Sequence, residues 1–414
     1  MSEWKKVRLG DCCLIGDGSH ASLKRQEKGI LYITAKNLTS NGLDISKVDY
    51  ISEELFNKHF KDNTNSITRP IRNDIIFSII GSLGACYLVK DEKFGISSSV
   101  AIFRSKGEII PLYLFYYLKS ETLKSEINSI KGGVAQGFMS LSKLGSLSIY
   151  YPSSIKRQHR IATILSRYDD LIENYQRQIK LLEEAAQRLY KEWFVDFRFP
   201  GHETTKFVDG IPEGWDITSV DNIIEKLESG SRPKGGIDTS IKEGIASVGA
   251  ENVIGPGLYN FSSEKLVSYD FYKNAKKGKI ENKDILIYKD GAYIGRTSLF
   301  QDNFPHKEAM VNEHVFLLHT KEEINQYFLF FTLYQKVYFE KMQKLNKNAA
   351  QPGLNQNAIK SLKLLMPNKK YIVKFDEVIS PMMKKLFALA NQIRSLTEAR
   401  DRLLPKLMNG EIEV

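Results

Sequence analysis

Two long stretches of the chain carry apolar residues at alternating steps of four and three. In the first they are Ile161, Leu165, Tyr168, Ile172, Tyr175, Ile179, Leu182, Ala186, Leu189 and Trp193. The same spacing recurs with Phe375, Ile379, Met382, Leu386, Leu389, Ile393, Leu396, Leu403 and Leu407, interrupted only by Arg400. A 3.5-residue period held this long is the pattern of a coiled-coil seam, because it keeps the apolar row facing a partner helix. The competing reading is two amphipathic helices, each buried on its own domain. Pro381 and Pro405 lie inside the second run and are expected to bend or end it locally, since proline lacks the helical N–H. From Ile161 to Trp193 a helix would extend roughly 48 Å at about 1.5 Å per residue.

Before each run the pattern changes. Short segments rich in Ile, Val, Phe and Tyr, such as "ILYIT", "DIIFSII" and "VAIFR" and later "DILIY" and "HVFLLH", are bounded by Gly, Asn and Asp. They predict strands and turns. One helix is expected over "PLYLFYYLKSETLKSEINSI", and another over "INQYFLFFTLYQKVYFEKMQKL".

These blocks are copies of each other. Sliding the second half over the first by roughly 215 positions matches features in order along the chain. Trp4 falls near Trp215, and "GILYITAKNLTSNGLD" meets "GIASVGAENVIGPGLY". Asp74-Ile75 meets Asp284-Ile285, Gln136 meets Gln351, and Pro152 meets Pro367. The chain therefore reads as a tandem duplication of an α/β block followed by a long helix. The expected fold is α+β, with two pseudo-symmetric α/β domains separated by an antiparallel two-helix coiled coil. The expected boundaries are 1–155 for the first domain, 156–198 for the first long helix, 199–212 for a linker, 213–368 for the second domain and 369–414 for the last helix. Each seam needs the other as partner, so the pair acts as a spacer.

Charge narrows the classes of partner. The formal net charge of the 414-residue chain is +10, which suits either a soluble surface or a nucleic-acid binder. The three cysteines, Cys12, Cys13 and Cys86, form no C-x-x-C pair, so neither a disulfide framework nor a zinc site is expected. No signal peptide or membrane-spanning run is recognisable, and the chain is expected to be soluble and cytoplasmic.

At this point the chain resembles the specificity subunits of type I restriction-modification systems, over its whole length. "LLEEAAQRLYKEWFVDFRFPG" followed by "DGIPEGW" is similar to the family's central junction, and "SLTEARDRLLPKLMNGEIEV" to its C-terminal helix. "DGAYIGRTSLF", "NAAQPGLNQNAIKSLKLLMP" and "SGSRPKGG" resemble recurrent pieces of its target-recognition domains. The first domain follows the pattern more loosely, with "SIIGSLGACYLV" in the matching place. The resemblance implies a subunit without catalytic centre or bound cofactor that reads a bipartite site on double-stranded DNA. It implies two modification subunits as partners, which use S-adenosylmethionine to methylate an adenine in each half-site. Restriction subunits that use ATP and Mg²⁺ would join the full complex.

The alternative is a self-contained DNA methyltransferase or nuclease. "DGAYIG" and "GSLG" follow strands but lack the G-x-G-x-x-G spacing of a cofactor loop. Asp270 with Glu281 and Lys283 has the look of a Mg²⁺ nuclease set, but Phe60, Ile71 and Asn73 occupy the matching positions. A third reading is a scaffold whose basic domains bind protein or RNA. Under the DNA reading, candidate contacts fall on matched loops. Ser19, His20, Lys24 and Arg25 lie in one, Arg232 and Lys234 in its counterpart, where Arg and Lys can hold phosphate or read guanine. Lys36 with Asn37, and Asn252 in the second copy, follow the next strand, where an Asn could read adenine. Lys289, Tyr293 and Arg296 surround the glycine turn of the second domain, and Gln136 and Gln351 sit in matched loops that either contact a base or brace the loop. Phe194, Phe197 and Phe199, after the first long helix, either dock a modification subunit or pack on the second domain.

Overall fold

The computed structural model describes residues 4–39, 42–63, 66–81, 83–131, 138–291, 293–346 and 353–414. The chain divides into two compact units, Met1–Asp170 with Leu396–Val414, and Leu171–Ser395.

In the first unit, β1 (Trp4–Arg8), β2 (Cys13–Asp17), β3 (Ile30–Ile33), β4 (Asp49–Ile51), β5 (Ile75–Ser78), β6 (Cys86–Leu88), β7 (Phe94–Ile96), β8 (Val100–Ser105) and β9 (Ser148–Pro152) build the mixed part. A four-stranded antiparallel sheet has the order β6-β5-β8-β2, with Ile102 opposite both Ile76 and Gly16. A three-stranded sheet has the order β7-β3-β4, in which β7 runs parallel to β3. β1 pairs antiparallel with β9.

The second unit repeats this with β10 (Asp216–Ser219), β11 (Ile224–Ser229), β12 (Ile245–Val248), β13 (Leu266–Val267), β14 (Ile285–Tyr288), β15 (Thr297–Leu299), β16 (Ala309–Val311), β17 (Val315–Thr320) and β18 (Lys363–Met366). Its sheets have the orders β15-β14-β17-β11 and β16-β12-β13, again with one parallel pair, β16 with β12. β10 pairs with β18. Each of these strands thus has its counterpart nine strands later, and the duplication read from sequence is a duplication of topology. Short strand pairs, 38–39 with 42–43, 62–63 with 66–67 and 207–208 with 211–212, lie outside the repeat.

The stretches 75–77, 100–103, 285–287 and 315–318 of the central strands are apolar at every position because both faces are covered. Side chains alternate across a strand. Ile75, Phe77, Ala101 and Phe103 face one core that holds Tyr113, Leu114 and Tyr117, while Ile76, Val100 and Ile102 face a second core with Tyr32, Ile33 and Phe56. In the second unit Ile285, Ile287, Phe316 and Leu318 face one core, and Leu286, Val315 and Leu317 the other. Each fully buried Ile, Leu or Phe contributes about 1.5–3 kcal/mol. The matched aspartates sit at the start of β5 and β14. Asp74 is buried and bonded to Arg104 at 2.8 Å; Asp284 is bonded to His319 at 2.7 Å, with Lys226 at 3.3 Å.

The helix expected over residues 111–130 is two helices, α1 (Pro111–Lys119) and α2 (Glu121–Lys131). Ser120 has extended backbone, donates its hydroxyl to the Tyr117 carbonyl and accepts from Leu123 N. It ends one helix and caps the next, which the continuing apolar pattern conceals. The second copy breaks the same way at Gln335, between α4 (Gln326–Tyr334) as counterpart of α1 and α5 (Lys336–Asn346). The first long helix is α3 (Ile155–Phe194) and the last is α6 (Lys369–Met408).

Both long helices span 40 residues. Of the two outcomes expected at Pro381 and Pro405, a bend or an end, neither proline ends α6. Glu377 and Asp401, whose carbonyls lose their partners there, belong to exposed residues, so water can take the bonds. Every residue of the two apolar runs is buried or half-buried. In the first unit Ile161 and Leu165 share a core with Leu407, and Arg157 stands opposite Glu413 while Asp169 stands opposite Arg400, so the helices run antiparallel. In the second unit Trp193, late on α3, lies 6.1 Å from Phe375, early on α6. Near their domains the helices bury a wider face than the seam alone. Ala162 and Met408 join the core of the first unit, and Tyr190, Phe194, Met383 and Phe387 that of the second. Among the described residues no helix is long and apolar enough to cross a membrane.

Candidate nucleic-acid interface

The loop end of the second unit gathers three turns. β11 closes at Ser229, and Gly230 N donates to Asn312 O in the turn between β16 and β17. A Cβ at Gly230 would fall 1.5 Å from the Val311 carbonyl oxygen, so the loop can cross there only as glycine. Lys289 N, leaving β14, donates to His314 O at 3.0 Å, and Leu354 N donates to Lys289 O at 2.8 Å. Gly230, Lys289, the turn at 312–314 and Leu354 are thereby fastened to one another by main-chain bonds.

Charged side chains cover this end. Arg232 Nε lies 2.9 Å from Glu313 Oε1, and the arginine remains 61% exposed. His314 Nδ1 is 3.0 Å from Asp290 and its Nε2 is 3.5 Å from Glu313. Lys289 Nζ is 4.0 Å from Asp290 and lies over the Phe316 ring. Arg296 stacks on Tyr293, whose ring is half exposed. Lys234 is exposed. Cations, an exposed aromatic and hydrogen-bonding carboxylates on short, fixed turns can contact phosphates and base edges.

The first unit builds the same end with two matching main-chain bonds, and a third that runs from the turn to the loop instead of from the loop to the turn. Ser98 N donates to Ser19 O, Ile79 N to Ser99 O at 3.0 Å, and Met139 N to Ile79 O at 3.1 Å. A Cβ at Gly18 would fall 2.0 Å from the Ile96 carbonyl oxygen. The side chains differ. Ser97 and Ser99 bond to each other where the second unit has Asn312 and His314, and Ile80 and Phe138 are exposed. Apolar surface of that kind suits a thymine methyl group rather than phosphate.

The expected contacts divide. Arg232, Lys234, Lys289, Tyr293 and Arg296 come together at one end of the second unit. In the first unit Ser19 belongs to that end but is buried, and His20 is exposed beside Asp17 at 2.8 Å. Lys24 and Lys36 are exposed. Arg25 is half spent, bonded to Asp49 and to the Leu23 carbonyl and stacked over Tyr32 at 3.9 Å. Asn37 and Asn252 are corrected outright. Both are buried. Asn37 Oδ1 accepts from Thr34 N and its amide donates to the carbonyls of Asp44 and Lys47; Asn252 Oδ1 accepts from Gly249 N and its amide donates to Asn260 O. These side chains brace a turn and have nothing left for an adenine. Gln136 and Gln351 lie outside the described residues. Phe194 and Phe199 are buried against Trp215 and Phe197 is half-buried beside it, so these rings pack the second unit. Asp290, Glu313 and His314 were missed, although the repeat aligns "NEH" with "SSS" at 97–99 and so points to that turn.

The duplicated fold with its two loop ends defines a class. The type I restriction modification DNA specificity domain matches residues 1–184 and again 212–398, and the chain belongs to that family. Among its relatives, the type I restriction enzyme MjaIX specificity subunit of Methanocaldococcus jannaschii is 29% identical over 317 residues, covering 75% of this chain and 71% of that protein. The HindI specificity subunit of Haemophilus influenzae is 24% identical over 477 residues, covering all of both chains. The crystal structure of a type I restriction-modification S subunit from M. genitalium shares the fold, with a TM-score of 0.59 at 18% identity over 98% of this chain and 96% of that one.

Proposed function

We infer that the chain is the sequence-specificity subunit of a type I restriction-modification complex, each α/β domain reading one half of a bipartite site on double-stranded DNA. The observation that carries this reading is the family match in both halves, on domains whose loop ends share two matching main-chain bonds. The α3–α6 pair sets the gap between half-sites and docks two modification subunits. The chain itself performs no chemistry; S-adenosylmethionine, ATP and Mg²⁺ are used by modification and restriction subunits. The net charge of +10 supports a polyanionic partner.

The test is an exchange of residues 213–368 for the equivalent domain of another family member, in cells that also supply the modification subunits. Mapping methylated adenines should show one half-site changed and the other kept. Both halves changing together, or neither, would refute independent reading. Purified chain without partners should leave DNA unchanged in S-adenosylmethionine or Mg²⁺.

A further inference from the structure

We propose that Arg232 is a specificity-determining residue that reads a guanine edge, and that Glu313 is the positioning residue that sets its guanidinium. This rests on the reading that the loop end of the second unit faces DNA.

The geometry distinguishes a base reader from a phosphate clamp. A guanidinium presents one donor fork through Nε and one Nη, and another through Nη1 and Nη2. Glu313 Oε1 forms an ion pair with the guanidinium on its Nε side, at 2.9 Å. The outer Nη1/Nη2 fork is left to project from a side chain that is 61% exposed. Guanine offers O6 and N7 as two adjacent acceptors in the major groove, which such a fork matches; adenine offers one acceptor and one donor there, and cytosine a donor.

Glu313 is fit to hold a group in place. It stands in the short turn between β16 and β17, whose backbone is bonded on three sides. Asn312 N donates to Val248 O, Asn312 O accepts from Gly230 N, and His314 O accepts from Lys289 N. Its carboxylate is only 29% exposed. The carbonyl of Pro233, next to Arg232, accepts from Gly236 N, which folds the loop back on itself.

The surrounding charge argues against a backbone contact. A phosphate seated on Arg232 would be brought towards the carboxylates of Glu313 and Asp290, the two anions that flank His314. A neutral base edge meets no such repulsion. The first unit has no counterpart to the pair. Its turn carries Ser97, Ser98 and Ser99, and none of these can orient an arginine as a carboxylate does. The guanine is therefore assigned to the half-site of the second unit alone.

The experiment uses the full chain assembled with its modification subunits. Methylated sites are mapped, and binding is measured on duplexes with every base pair replaced in turn. Arg232→Ala should relax one G·C position of one half-site, losing about 5- to 150-fold of discrimination there, the range a bidentate base contact supplies. Arg232→Lys, which keeps the charge but not the fork, should lose it as well. Glu313→Gln should weaken discrimination at that same position and at no other. A duplex carrying 7-deazaguanine there, which removes N7, should penalise the wild-type complex and not Arg232→Ala. Uniform weakening of all sequences with a salt slope shallower by about one would make Arg232 a phosphate contact and overturn the proposal. So would an Arg232→Lys complex of unchanged specificity, or a Glu313→Gln effect at a different base, which would make the glutamate itself the reader. If the half-site follows exchange of residues 213–368 but ignores Arg232, this inference alone fails; if it does not follow the exchange, the underlying reading fails first.

Discussion

Replacing Arg400 by leucine would complete the apolar seam of α6 on paper, and the structure predicts that it loosens the helix pair. Arg400 Nη1 lies 2.6 Å from Asp169 Oδ1 across the seam, and the Tyr116 hydroxyl donates to Asp169 Oδ2 at 2.8 Å. The arginine side chain is 19% exposed and the aspartate 28%. Breaking a fully buried pair by removing one partner costs about 3–5 kcal/mol. For a pair about a quarter exposed, a cost of about 2–3 kcal/mol is reasonable, offset by about 1 kcal/mol of extra apolar burial at leucine. The net is about 1–2 kcal/mol, or roughly 5- to 30-fold in a local opening equilibrium. A chain of two units does not unfold in two states, so the readout must be local. Hydrogen exchange by mass spectrometry over residues 155–170 and 396–408 provides it, and Arg400→Leu should exchange faster by that factor. Adding Asp169→Leu removes the orphaned charge but strands the buried Tyr116 hydroxyl, at a cost of about 1–3 kcal/mol. The triple variant with Tyr116→Phe removes all three groups that meet across the seam and should recover at least wild-type protection. It leaves only Asp401, a second partner of Arg400 whose side chain is 58% exposed and which water can solvate. If Arg400→Leu alone exchanges no faster than wild type, or the triple variant is more labile than the single one, the network does not stabilise the seam.

Other predictions concern different parts of the chain. Asn252→Ala leaves the Gly249 N–H without its acceptor, while the Asn260 carbonyl keeps the Ser263 hydroxyl, and should destabilise the second unit by about 1–3 kcal/mol in calorimetry. The bases read by surviving complexes should stay the same. Burial pushes the Cys86 thiol up to about 12, so its contribution to stability is fully present below the ordinary thiol value and is lost as pH rises towards 12. At pH 8 iodoacetamide should label Cys86 only after denaturant is added. One heptad added to both long helices, after Tyr175 and after Leu389, lengthens the pair by roughly 10 Å, about three base pairs of rise. Any active variant should methylate the same half-sites across a wider gap, and an unchanged gap would contradict the ruler.

Much of this fold was legible because its patterns record burial. The 3.5-residue period marks which face of α3 and α6 is covered, and every residue of both runs is buried or half-buried. The uninterrupted apolar runs of β5 and β14 mark strands covered on both faces. Breaks made by a single polar group were hidden. Ser120 divides a helix with one hydroxyl while the apolar spacing continues through it. Asn37 and Asn252 could not be judged from sequence, since an asparagine amide suits an adenine edge and a turn's carbonyls equally well. Only burial separates the two uses.

The loop ends were hard to read for a different reason. An alignment of two copies finds what they share, and what they share here is main chain. The bonds from Ile79 to Ser99 and from Lys289 to His314, and from Met139 to Ile79 and Leu354 to Lys289, hold the turns in place without using a side chain. Side chains on those turns are therefore free to differ, and they do. Three serines stand where the other copy has Asn312, Glu313 and His314. A search for basic residues finds Arg232 and passes over Glu313, whose charge has the wrong sign for a DNA surface. Yet its carboxylate pairs with the guanidinium on the Nε side, at 2.9 Å. On the proposed reading, recognition by such a domain is carried where the repeat does not match, on a backbone that lets it vary at little cost in stability.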